Sequence, residues 1–205
     1  MRMRNVVAAV LGLVLVSPAA ADPFGDLTKN GSDACFRRVY DAAHLQKIPR
    51  QQVTSMTVWI KGGPAGASSR GGNVGLALTR RGDPQPLFLS GDCSWGNFKG
   101  PPSWMPSFRK SAGAGCVTLA VPDVFPNVSS AEEGGGIILD PAPDGRTMMV
   151  HLDDAQVMVK RARRGDALST KFGADDRVFR LARTDFLTCD FVKDAVTTME
   201  TEPAR

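Results

Sequence analysis

The chain predicts a mainly β protein, an antiparallel β-sandwich or pair of packed half-barrels with one short N-terminal helix. Three observations carry that expectation. Apolar residues alternate with period two through the middle of the chain, as in Val53 to Ile60 (VTSMTVWI). Turn signals rich in Gly, Pro and Asp recur between these runs, and four cysteines supply two cross-links to a loop-rich body.

The elements follow in order. Arg2 and Arg4, the apolar run Val6 to Val16 and the small residues Ser17-Pro18-Ala19-Ala20-Ala21 make residues 1–21 a cleavable signal peptide. That run is too short to cross a bilayer core of about 30 Å, and no later segment is a transmembrane span. A polar leader from Asp22 to Gly31 precedes a helix expected over Asp33 to Leu45. There Phe36, Val39, Tyr40 and Ala43 share one face, Ser32 or Asp33 can cap the start, and Pro49 lies beyond the end.

Val74 to Leu78 and Pro86 to Leu89 then form a hairpin around Arg81-Gly82-Asp83-Pro84. Cys116 to Val121 is another strand. Gly136 to Leu139 and Thr147 to Leu152 make a second hairpin around Asp140 to Gly145, followed by strands at Ala155 to Lys160 and Arg177 to Leu181. Shifting the chain by 63 residues places Gly72 on Gly135 and Gly82 on Gly145, which suggests an internal duplication with halves of about 53–115 and 116–182. A single disulfide-stabilised domain is expected over 22–196, with a short element at Phe191 to Val196 and a frayed tail over 197–205.

Export sets the cysteine chemistry. In an oxidising compartment, periplasmic or secreted, an even count favours disulfides. Four cysteines allow three connectivities; the expected pairs are Cys93–Cys116, which closes a loop rich in Gly, Pro and aromatics, and Cys35–Cys189, which ties the ends of the domain together. Removing the leader also takes Arg2 and Arg4, so 25 basic residues become 23 against 21 acidic ones. The basic balance is therefore no argument for nucleic acid. The cluster Lys160-Arg161-Ala162-Arg163-Arg164 reads as a solvated turn.

For chemistry, the sequence is thin. There is no CxxC or HxxxH spacing, so neither a metal nor a cofactor is expected. The glycine run Gly62 to Gly72 lacks the Lys and the following helix of a phosphate loop. His44 reads as a helix-end residue. His151, beside Asp153 and Asp154, is the one base around which a hydrolase could be imagined, with Ser90 or Ser169 as nucleophile. The pairs Glu132-Glu133 and Asp175-Asp176 read as solvated loop carboxylates.

The segment with the strongest claim to function lies between Cys93 and Cys116. It interleaves Trp95, Phe98, Trp104 and Phe108 with Lys99, Arg109 and Lys110 on a backbone stiffened by three prolines. Rigid aromatic faces flanked by cations suit a glycan, peptide or envelope-protein partner. The expectation is a non-catalytic binding module whose candidate ligand residues are Trp95, Phe98, Lys99, Trp104, Phe108 and Arg109. The same rings could instead fold inward and plug one end of the β-layers. The alternatives are a secreted hydrolase using His151 and a purely structural envelope component.

Overall fold

Alternating strands that are apolar on one face must close or stack to bury that face, and this chain closes. The computed structural model describes residues 23–28, 30–63, 71–97, 105, 108–118, 136–152, 157–161, 168–170 and 172–201. The signal segment 1–21, residues 202–205 of the expected tail, and the stretches 98–104 and 119–135 lie outside the described residues.

The strands are β1 (Ala34–Val39), β2 (Val53–Ile60), β3 (Gly71–Arg80), β4 (Asp83–Asn97), β5 (Ala112–Thr118), β6 (Gly136–Pro141), β7 (Thr147–Leu152), β8 (Val157–Arg161), β9 (Leu168–Thr170) and β10 (Val178–Arg183). Each from β1 to β7 pairs antiparallel with the next, and β10 pairs with both β7 and β1. Eight strands thus close into an up-and-down barrel, in place of the expected sandwich or half-barrels. The hairpin of β8 and β9 is an excursion; it attaches to β4 through Leu87↔Arg161 and Phe88↔Lys160. Lys160 and Arg161 of the basic cluster therefore lie on a strand rather than in a turn.

Period-two alternation decides which side chains enter. Phe36, Met56, Val58, Leu76, Leu89, Leu139, Val150, Phe179 and Leu181 point inward into one continuous core. An eight-stranded barrel is just wide enough for its own side chains, and these fill it. The disulfide Cys93–Cys116 belongs to that interior, linking residues directly opposite on β4 and β5. At the end of the barrel where β1 starts, the helix α1 (Pro23–Thr28) inserts Phe24 and Leu27. The opposite end receives Phe172.

Part of the outer face is covered by the C-terminal helix. Helix α3 (Asp190–Thr201) lays Val192, Ala195 and Val196 over Trp59, Ala77 and Phe88. The spacing of those three residues is one helical face. Gly75 permits the approach, since a Cβ there would sit 2.9 Å from a Val196 methyl. The second disulfide, Cys35–Cys189, fastens the start of this helix to β1. Both cysteine pairs are those the spacing suggested. α3 also runs on to Thr201, past the expected end of the last element at Val196 and into the tail thought to be frayed.

The expected N-terminal helix is corrected. Residues 34–39 are strand β1, with Phe36 inward and Cys35 outward, and only Ala42–Lys47 is helical (α2). The spacing of Phe36, Val39, Tyr40 and Ala43 came from a strand running into a short helix. The leader likewise contains α1, with Phe24 1% exposed rather than solvated. Asp41 caps α2, accepting from the backbone N–H of His44 at 2.7 Å. Asp33 accepts instead from the Trp59 indole N–H and the Gly62 N–H, both at 2.9 Å. Burial alone would raise the Asp33 carboxyl; those two hydrogen bonds and the Lys193 charge outweigh it and hold its pKa below the usual carboxylate value.

The Arg81-Gly82 turn also has a structural task. Gly82 sits at φ 71°, and Arg81 donates to the carbonyls of Gln51, Leu45 and Ile48, binding the end of α2 to the hairpin. Asp175 does meet solvent and pairs with Arg50 at 3.1 Å. Its neighbour does not. Asp176 is 1% exposed and accepts from the backbone N–H groups of Gln52 and Val53 at 2.8 and 2.9 Å, fixing the entry of β2 against the turn before β10. Asp176→Ala leaves both donors without their carboxylate, so we expect a loss of about 3 kcal/mol in chemical denaturation, with the loss from Asp175→Ala under about 1 kcal/mol.

Candidate functional site

The inner faces of the described strands meet in one continuous core. Among the described residues two hollows stand out, away from the face packed by α3 and lined by rim and outer positions. The first is a space of about 650 Å³ at the end plugged by α1, lined by Pro23, Trp95, Arg109, Lys110, Asp140 and Met149 among others. Its size suits a small ligand or part of an extended one.

Each lining group is placed by its element. Trp95 follows Cys93 by two on β4, so it faces inward near the end of the strand; half-buried, it rests partly on the core and partly in the hollow. Asp140 is on the outer face of β6 and 7% exposed, and it receives Lys110 at 2.5 Å. That pair pins the segment before β5 to β6 and leaves Arg109 exposed beside it. Among the described residues no carboxylate pairs with Arg109.

Of the six expected ligand residues, the fold brings Trp95 and Arg109 to one hollow. Phe98, Lys99 and Trp104 lie outside the described residues. Phe108 turns inward and is fully buried with Met105 and Ile138, covering the outer face of β6. Gly113 makes room for it, a Cβ there falling 3.1 Å from the Phe108 ring and 2.9 Å from Ile138. Phe108 thus serves the wall behind the hollow. The sequence placed Asp140 in a turn and Thr147 and Met149 on a strand, and read none of them as a ligand residue.

Under the Phe108 cover lies His151, on the outer face of β7. The Phe108 ring meets its imidazole edge-on at 5.0 Å, and among the described residues neither ring nitrogen has a hydrogen-bond partner. Burial lowers its pKa, opposed by Asp140 and reinforced by Lys110. Ser90 is on β4, three strand positions away and hence about 14 Å distant. Asp153 and Asp154 lie outside the described residues. The side chain of Ser169 lies outside the described residues; among those described no side chain hydrogen-bonds the His151 ring, and no group of His, Cys, Asp and Glu is placed to hold a metal ion.

The second hollow, of about 540 Å³, opens between β1 and β10 and is lined by Arg38, Tyr40, His44, Gln51, Val178 and Arg180, among others. Thr147 and Met149 form a wall common to both hollows.

Fold and site together define a class: a closed, disulfide-linked antiparallel barrel with hollows of mixed polar and apolar lining on its outside and rim. No family model, curated protein or solved structure matches the chain.

The half-buried imidazole, its ring nitrogens shielded from solvent, has a measurable consequence. A base whose folded-state pKa is depressed stabilises the fold above its unfolded value, and that contribution is lost as pH falls through the folded one. Stability should therefore decline as pH drops below about 6.5, and His151→Leu should remove part of that decline in urea titrations from pH 8 to pH 5.

Proposed function

We propose that this chain is an exported, non-catalytic binding module, working in the periplasm or outside the cell, that holds an acidic extended ligand across the Trp95–Arg109 hollow. Two disulfides fit an oxidising compartment, and among the described residues no helix is long and apolar enough to cross a membrane. The observation that carries the reading is the convergence of a half-buried indole and an exposed guanidinium on one hollow beside a filled barrel. An indole offers an apolar plane for a sugar ring or peptide side chain. Arg109 offers a planar, charged fork for a carboxylate.

Lys110 contributes less charge than its position suggests, because Asp140 already neutralises it. Recognition of the anion therefore falls to Arg109. The hollow is more open than enclosed, which favours an extended ligand over a compact one.

The test is a binding screen of neutral and acidic oligosaccharides and short peptides, followed by titration of the best acidic member. Arg109→Gln and Trp95→Phe should each weaken that member at least tenfold, about 1.4 kcal/mol, with melting temperature unchanged. A screen in which acidic members bind no better than neutral ones, or variants that bind like the parent, would overturn the reading.

A further inference from the structure

The second hollow marks the place where the barrel wall is thinnest. β1 and β10 pair only through Phe36↔Arg183 and Arg37↔Ala182, whereas β1 makes six pairs with β2 and β10 makes five with β7. Beyond Arg37 the two strands part. Thr184 N–H reaches Cys35 O, while Arg177 O receives Leu152 N–H, so the even-numbered residues of β10 direct their backbone groups toward β1. The backbone of Arg180 therefore faces the gap without a ladder partner on β1 among the described residues.

We propose that this gap is a second ligand site, which takes a phosphomonoester head carried on a short apolar body. Arg38 and Arg180, both exposed, line the hollow, and among the described residues no carboxylate pairs with either. Asp175, the carboxylate on its rim, is engaged by Arg50. Two guanidinium charges match a phosphomonoester, which carries about −1.5 to −2 at neutral pH, better than a single carboxylate.

The wall behind them is rigid. The Arg38 guanidinium lies 5.3 Å from the Tyr40 ring centre, and Tyr40 stacks on His44 at 4.5 Å. Gln51 donates its amide to Val53 O at 2.7 Å, so its Oε1 accepts from His44 Nε2 at 3.1 Å. Ile48, Met149 and Leu181 supply apolar lining, and Val178, 47% exposed, stands at the mouth. A phosphate ion alone would leave most of about 540 Å³ unfilled, hence the apolar body.

Calorimetric titration of the purified protein with hexyl phosphate, hexanoate and inorganic phosphate tests the site. Hexyl phosphate should bind saturably and at least tenfold more tightly than the other two. The double variant Arg38→Gln/Arg180→Gln should lose at least tenfold with its melting temperature unchanged, and Arg109→Gln should bind like the parent, which separates this site from the first hollow. Cosedimentation with phosphatidylcholine vesicles containing phosphatidic acid, abolished in the double variant, would assign the head to a lipid; absence of cosedimentation alongside hexyl phosphate binding would assign it to a diffusible ligand. No saturable binding of hexyl phosphate, equal affinity for inorganic phosphate or hexanoate, or an unaffected double variant would overturn the proposal.

Discussion

The barrel depends on one short joint. Seven of its eight strand contacts are made between sequence neighbours or across the β7–β10 ladder, but closure requires the first strand to meet the last, and there only two residue pairs form. The Cys35–Cys189 bond lies beside that joint, 154 residues apart in sequence, and Thr184 N–H adds one more hydrogen bond to Cys35 O at 2.9 Å. On the chain-entropy model such a cross-link removes about 5 kcal/mol of unfolded-state freedom. A joint too short to hold by its ladder is thus reinforced covalently on one side, while on the other the turn before β10 is tied to β2 through Asp176.

Closure also sets what the inside of the barrel holds. Once the eight inner faces converge, Phe36, Phe179 and their neighbours occupy the volume that wider barrels leave for a ligand, and Phe24 and Phe172 stop the two ends. α3 takes one side of the exterior and the Met105–Phe108 segment another. Among the described residues the first hollow lies over β5, β6 and β7, the second over β7, β10 and β1, and the two meet at Thr147 and Met149. The weakness of the joint and the position of the second hollow are one fact: where the ladder stops, side chains and space replace backbone pairing.

Much of the fold was legible in the sequence because period two is a strong signal when one face is buried. β2, the β3–β4 hairpin and the β6–β7 hairpin stand where the alternation and turn residues put them, with Gly82 and Gly145 both at positive φ. Closure was not legible, since it rests on pairing between residues near 36 and near 183, and local pattern carries no information on partners so distant. The first helix was misread because a strand turning into a helix at Asp41 mimics a 3.6-residue spacing. The composition of the loop had pointed to Trp95 and Arg109 as candidate ligand residues, and both line the first hollow. Phe108 carried the same signal as they did, and only the room left by Gly113 distinguishes a ring that fills the wall from one that lines a hollow.

Closure of the barrel stands or falls on the joint. Native-state hydrogen exchange on Cys35→Ala/Cys189→Ala addresses it directly, because each ladder can be followed separately. The structure predicts that amides at Arg37, Ala182 and Thr184 lose protection first, while those of the β3–β4 and β4–β5 ladders, the latter fastened by Cys93–Cys116, keep theirs. Uniform loss across all strands, or full retention at the joint, would contradict it.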